Sequence, residues 1–257
     1  MLNSLKYLSR SAYFFLRQRR WFSKSDLGKE EQQYSIYSTI RREGFTVLDG
    51  YKSAEWCERA RADVLKHMAD RSVTTPQLED TRIVGVEKLS PYAHEFAKDP
   101  LLLRLAEMYA GGAETLFYCM ANHVTYRGGY GSGGEWHRDS FRRELKALIY
   151  LTDVTDADGP FALVKRSSGN GRIFIDTLRM ALWGVKDPTR LKDAGERLGY
   201  HAIRAKAGTL VLFDTSAIHT GIPIKEGHER LALTNYYVAT KDIEIHRAYY
   251  RDKVKML

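Results

Sequence analysis

Apolar residues recur along this chain with two periods, and the change from one to the other divides it. In the first part they fall three or four positions apart, the spacing of a helix with one buried face. Residues 30–42 read as a helix that Gly44 breaks, and Phe45, Thr46, Val47 and Leu48 follow as a short strand. Ser53 is placed to cap a helix running to about residue 71, in which Trp56, Ala60, Val64 and Met68 repeat on one face as core. Residues 82–86 read as a strand, and residues 101–109 as a helix stopped by Gly111 and Gly112. From residue 116 onward the period falls to two, that of a strand whose side chains alternate between faces. Residues 116–127 place His123, Thr125 and Arg127 on one face and Asn122, Val124 and Tyr126 on the other. Residues 145–151, 161–164, 209–213 and 230–237 read as further strands. Among them lies an insertion, residues 170–199, with helical character in Ile173, Leu178, Met180, Leu182 and Trp183, and with Asp187 and Pro188 opening a second helix. An insertion between core strands is a candidate lid. Beyond Thr240 the pattern defines no clear element.

A chain of 257 residues is near the upper limit for one hydrophobic core, so residues 25–257 read as one domain. Its hydrophobic content of 44% and charged content of 28% exclude a disordered chain. Cys57 and Cys119 have neither metal-ligand nor redox-pair spacing, and read as reduced thiols filling apolar core in a cytoplasmic compartment. The net charge of +8 suggests nucleic acid until it is located. Lys6, Arg10, Arg17, Arg19, Arg20 and Lys24 carry six of those charges within residues 1–24, which hold no acid. The remaining domain is nearly neutral, so no nucleic-acid partner is expected. Residues 1–24 form a basic amphipathic segment whose longest apolar run, from Ala12 to Leu16, is far short of the ~20 residues that span a bilayer. They suit peripheral contact with an anionic membrane through their cations, with Phe14, Phe15, Trp21 and Phe22 dipping in. An organelle transit peptide is the runner-up, and a helix packed on the domain is the plain alternative.

The chemistry gathers in two stretches. Residues 128–139 read GGYGSGGEWHRD, and on an extended segment His137 and Asp139 point the same way and can grip one ion. His219 follows the apolar run 209–213. Two imidazoles and a carboxylate make the facial triad of a non-haem Fe(II) oxygenase, which leaves metal positions open for substrates. Arg230, eleven residues after His219, heads another strand and offers a guanidinium that forks onto a carboxylate. Gly129, Gly131 and Gly134 match a dinucleotide fingerprint in form, but no helix follows to receive a pyrophosphate; they suit a flexible lip over the metal.

The order of Gly-rich loop, H-R-D, strand, Gly159-Pro160 turn, insertion, strand, histidine and arginine resembles the phytanoyl-CoA dioxygenase family of Fe(II)/2-oxoglutarate oxygenases. The resemblance runs from about Ile40 to Val238, anchored by residues 43–48, 137–139, 150–161 and 208–213 with His219 and Arg230. It implies an α+β chain with an all-β core of double-stranded β-helix, or jelly-roll, type and flanking helices. It implies Fe(II) held by His137, Asp139 and His219, with 2-oxoglutarate and O2 as cosubstrates and Arg230 on the distal carboxylate. Residues 116–127 would line the pocket, with Thr125 touching 2-oxoglutarate and His123 the substrate. The implied reaction hydroxylates an unactivated C–H bond while 2-oxoglutarate becomes succinate and carbon dioxide. Related halogenases lose the carboxylate to admit chloride, so Asp139 favours hydroxylation; desaturation and cyclisation use the same centre. Two features depart from the family: Gly221 stands where many relatives have a hydroxyl residue, with Thr220 one place earlier, and residues 165–168 read KRSS where P-G-S-H is usual. Arg138, Arg142, Arg143, Lys146, Lys165 and Arg166 cluster around the metal motif, and some would receive an acidic substrate, small or lipid-linked. The rival readings are a nucleic-acid demethylase with the same triad and a non-catalytic metal-binding jelly-roll module.

Overall fold

The computed structural model describes residues 31–77, 80–126, 128–129, 135–141, 144–182 and 189–250. Residues 1–24, Arg142 and Arg143, most of the glycine lip, and the helix start at Asp187 and Pro188 lie outside the described residues. No helix among the described residues is long and apolar enough to cross a membrane.

The N-terminal helices form a layer. Helix α1 (Glu31–Glu43) ends at Gly44 and leads into β1 (Phe45–Leu48). The Ser53 side chain accepts from the Trp56 amide to start α2 (Ala54–Met68). Ser90 caps α3 (Pro91–Ala97) in the same way, with proline at the first helical position, and Asp99 caps α4 (Pro100–Ala110). The remaining strands are β2 (Thr75–Gln77), β3 (Asp80–Val84), β4 (Glu114–Thr125), β5 (Leu145–Tyr150), β6 (Phe161–Leu163), β7 (His201–Ile203), β8 (Leu210–Asp214), β9 (His219–Gly221) and β10 (Glu229–Ala239). Helices α5 (Asn170–Leu182) and α6 (Ala194–Leu198) form the insertion, and α7 (Ile243–Tyr250) closes the described chain.

The strands make two antiparallel sheets, seven strands in the order β1-β8-β5-β10-β4-β3-β2 and three in the order β7-β6-β9. This is the double-stranded β-helix that the resemblance implies. Alternation on the large sheet assigns each side chain to one of two layers. Leu145, Ala147 and Ile149 of β5, Leu210 and Leu212 of β8, Leu231 and Leu233 of β10, and Cys119 and Ala121 of β4 face the helices and join their apolar side in one core. Both cysteines are buried there as free thiols. Tyr150, Val211, Phe213 and Ala232 face the other way and pack with Phe161, Leu163 and Ile203 of the small sheet. Each such fully buried large side chain contributes about 1.5–3 kcal/mol, so the two layers fix the phase of every long strand.

The insertion packs onto the metal motif instead of standing apart. Trp136 is buried and lies against Gly195, where a Cβ atom would fall 2.0 Å from the indole. The Arg138 amide donates to Thr189 at 2.9 Å and the Leu191 amide to Trp136 at 2.8 Å.

Candidate active site

Backbone pairing brings the first and last parts of the motif together. The His137 amide donates to the His219 carbonyl at 3.0 Å and the His219 amide donates to the His137 carbonyl at 2.9 Å, while the Asp139 amide donates to the Thr215 carbonyl at 3.0 Å. His219 begins β9 on the small sheet, after the turn that follows β8. The donor atoms of His137, Asp139 and His219 lie within 4.8 Å of one another. His137 Nδ1 stands 2.9 Å from the Glu135 carbonyl and His219 Nδ1 2.8 Å from that of Ala217. A carbonyl only accepts, so both protons sit on Nδ1 and both Nε2 lone pairs are free. Those Nε2 atoms lie 3.5 and 3.6 Å from Asp139 Oδ1. Burial lowers the His219 pKa despite the neighbouring carboxylate, which keeps the ring neutral. The donor set of two neutral imidazoles and one carboxylate fits Fe(II).

Asp139 has a second partner. Lys146 of β5 places Nζ 2.6 Å from Asp139 Oδ2 and 3.9 Å from the centre of the Tyr236 ring. Burial alone would raise the Asp139 pKa, but Lys146 holds the carboxyl well below its usual range. Burial alone would lower the lysine, and Asp139 outweighs it, so the ammonium is held above its usual value.

These groups open on a cavity of about 340 Å³. Its floor is the inward face of the large sheet, with Met120, Asn122 and Val124 of β4, Asp80 and Arg82 of β3, Lys146 and Leu148 of β5, and Arg230, Thr234 and Tyr236 of β10. Arg230 is buried, and its Nη1 donates to the Gly159 carbonyl. Gly159 has φ +63°, and a side chain on it would meet the Ile222 carbonyl 2.4 Å from its Cβ. Gly221 matters in a similar way: a Cβ there would come within 3.1 Å of Arg230 Nη2. The departure from the family's hydroxyl thus leaves room for the guanidinium. Among the described residues no carboxylate lies within ion-pair distance of Arg230, and burial lowers its pKa against the weaker pull of Tyr150 and Asp80. A buried cation on a cavity wall without an ionic partner is a receptor for an anion.

His123 and Thr125 require a correction, because β4 turns them away from the cavity. His123 lies opposite Leu231 on the helix side, with Nε2 2.8 Å from Glu229, which also receives Arg61 at 2.7 Å. Thr125 shares that phase, opposite Glu229. The face that turns inward carries Asn122 and Val124. Cys119 and Ala121 match the small, apolar demands of the helix core, and they fix the odd-numbered residues from 119 to 125 on that side. Of the cation cluster, Arg138 has a side chain of 0% exposure whose Nη2 donates to Asp176 of α5 at 2.8 Å and whose Nη1 donates to the Ser167 and Ser216 carbonyls. Arg166 pairs with Glu43 on the surface, and Lys165 is exposed. Asp80, Arg82, Asn122, Thr234 and Tyr236 were not singled out by the sequence. Lys146 had one usable signal, a lone charge inside an apolar strand.

A double-stranded β-helix in which two neutral imidazoles and a carboxylate converge beside a buried arginine defines a non-haem Fe(II)/2-oxoglutarate-dependent dioxygenase. The chain belongs to the phytanoyl-CoA dioxygenase family, whose model matches residues 40–232. Ectoine dioxygenase of Bordetella parapertussis is 28% identical over 211 residues, covering 70% of this chain and 67% of that protein. Ectoine dioxygenase of Nocardia farcinica is 24% identical over 217 residues, covering 71% and 70%. The same fold occurs in EctD from S. alaskensis solved with 2-oxoglutarate and 5-hydroxyectoine, at a TM-score of 0.63 and 17% identity over 86% of this chain and 80% of that one. It occurs too in the epimerase SnoN in complex with Fe3+, alpha ketoglutarate and nogalamycin RO, at 0.63 and 16% over 81% and 84%.

Proposed function

We propose that the chain hydroxylates a C–H bond of a small polar molecule, with His137, Asp139 and His219 as iron ligands and Arg230 as the seat of the distal carboxylate of 2-oxoglutarate. The observation that carries this reading is the pairing of an inward-facing His–Asp–His set with a buried arginine on one cavity wall. Bound together, Fe(II) and 2-oxoglutarate supply the oxidation: the oxoacid is decarboxylated to succinate while one atom of O2 enters the substrate. The protein's own part is orientation and exclusion of water. Its two Nδ1–H groups are committed to carbonyls, so the imidazole rings cannot turn. Lys146 occupies Asp139 Oδ2 and leaves Oδ1 toward the histidines. Phe161 and Phe213 flank His219 with ring centres 5.5 and 5.3 Å away, which keeps water from that side of the ligand set. The planar fork of Arg230 fixes the orientation of a carboxylate as well as its charge.

A cavity of this size suits a small molecule, as the relatives' name, ectoine dioxygenase, states for them. Its charged and amide side chains suit a polar substrate better than a lipid tail. Thr189 and Arg190 of the insertion serve in this reading as part of the wall that shapes specificity. Anaerobic addition of Fe(II) and 2-oxoglutarate tests the centre: a weak visible charge-transfer band is expected, and folded protein that gives none overturns the proposal. A succinate-release screen across small polar metabolites then identifies the substrate.

A further inference from the structure

Among the described residues five cations line the cavity, and four have a role or lie at its edge. Arg82 is bound to Asp80 at 2.6 and 3.1 Å, Arg138 is turned toward Asp176, Arg230 faces the cosubstrate end, and Arg190 is exposed. Lys146 differs from all of them. Its side chain is only 13% exposed, and the carboxylate it touches is the one that the metal takes. Without metal, Asp139 neutralises it. With Fe(II) and 2-oxoglutarate bound, the ion brings two positive charges and Lys146 one, against one negative charge on Asp139 and one on the chelating end of the oxoacid. One positive charge is left over on the cavity wall, where it attracts an anion.

The sheet register separates this cation from the one that seats the cosubstrate. Lys146 stands opposite Tyr236 on β10, whereas Arg230 lies six residues away along the same strand. At about 3.4 Å per residue that is roughly 20 Å of strand. The two cations therefore serve opposite ends of the cavity and do not compete for one carboxylate. The Tyr236 ring, itself stacked on Tyr118 at 4.4 Å, covers one side of the ammonium.

We infer that Lys146 is the specificity-determining receptor for an anionic group on the substrate, a carboxylate or a phosphate, held next to the metal ligand Asp139. The inference rests on the oxygenase reading above. It implies that the oxidised carbon lies within a few bonds of the acid group, because the receptor sits one hydrogen bond from the ligand set. Arg138, Lys165 and Arg166 are thereby released from the role that their place in the sequence suggests.

The test uses full-length protein loaded anaerobically with Fe(II) and 2-oxoglutarate. The visible band is followed during titration with two matched pairs, butanoate against butanamide and butyl phosphate against 1-butanol. The acid member should shift the band at a concentration at least about tenfold below its neutral partner, a difference of ~1.4 kcal/mol. The pair with the larger ratio distinguishes carboxylate from phosphate. Lys146→Met, titrated at the Fe(II) and 2-oxoglutarate concentrations that saturate its own band, should lose the preference, and Lys146→Arg should keep it. Equal responses to acid and neutral probes in the wild type, or an unchanged preference in Lys146→Met, overturn the inference while leaving the oxygenase reading in place. Absence of the band in the wild type overturns both. If Lys146→Met does not fold, the wild-type titrations and Lys146→Arg still decide.

Discussion

Arg230 allows the cosubstrate assignment to be tested apart from protein stability. Its guanidinium donates to the Gly159 carbonyl with one nitrogen and has further N–H groups toward the cavity. Lysine in its place keeps the charge but loses one of two charge-assisted bonds to a carboxylate, worth about 1.5–3 kcal/mol. Arg230→Lys should therefore weaken 2-oxoglutarate binding by roughly 10- to 150-fold. Arg230→Met loses both bonds and the charge, and should weaken binding by more than about 150-fold. The metal-free protein should respond quite differently. Methionine removes the donor to Gly159, costing roughly 1–3 kcal/mol, but also removes a buried cation without an ionic partner, a relief of similar size. The melting temperature of apo Arg230→Met should stay within about 4 °C of wild type. Anaerobic titration of the visible band measures the first quantity and thermal unfolding the second. Binding of 2-oxoglutarate by Arg230→Met within about threefold of wild type would refute the assignment, and a collapse in apo stability with binding preserved in Arg230→Lys would make the residue structural.

Four further outcomes are expected. Asp139→Ala should abolish metal binding, read by calorimetry with Co(II), and lower the apo melting temperature because Lys146 is left without its partner; Asp139→Ala with Lys146→Met should recover the stability but not the metal. His123→Gln should leave turnover within about twofold and cost less than about 1 kcal/mol, since it loosens only a partly exposed link to Glu229 and Arg61. Asp176→Asn should destabilise by about 3–5 kcal/mol by leaving Arg138 buried and unpaired, and Arg138→Met with Asp176→Leu should recover most of that loss in urea unfolding. Burial, with Glu144, Asp242 and Glu107 nearby, raises the Glu114 carboxyl from 4.5 to about 8. The folded chain therefore keeps a proton that the unfolded chain has lost, so this contribution is full below pH 4.5 and declines until the pH passes about 8. Glu114→Gln should melt at the wild-type temperature at pH 4 and several degrees higher at pH 8.5.

The metal motif was legible because its information is local in two places and the order along the chain joins them. A period of two puts His137 and Asp139 on one side, and the apolar run before His219 announces the strand beside it. The faces of β4 were legible as a partition but not as a direction. Alternation separates His123 and Thr125 from Asn122 and Val124, yet only the demands of neighbouring strands decide which set turns inward. Leu231 and Leu233 pair with His123 and Ala121, and their burial under the helices settles the question. Helix α3 begins with the start signal Ser90-Pro91 and escaped notice through its brevity, as did the three-residue β7. Strand β3 was displaced by two residues in the sequence reading, because Gly85 with φ +85° ends it and begins a 3-10 turn over Val86–Lys88. The partnership of Arg138 with Asp176 joins residues 38 apart and has no sequence signature.

That partnership changes how the insertion should be understood. The segment around His137 does not belong to a continuous strand; it is an isolated bridge, with His219 on one side and Arg190 on the other. Two ladder bonds to His219 would leave such a segment free to pivot. Three fastenings from the insertion oppose that motion: Arg190 and its neighbours on the backbone, Gly195 beneath Trp136, and Asp176 on Arg138. Arg138 lies between the two ligands of its own motif, its side chain is held by Asp176, and anchoring it anchors both. A ligand set must be held to within a fraction of an ångström to keep open positions open. Here that precision comes in part from Asp176, Thr189, Leu191 and Gly195 of the insertion, and Thr189 and its neighbour Arg190 also line the cavity. A substitution at Thr189 or Arg190 that alters the cavity wall should therefore also act on the metal ligands.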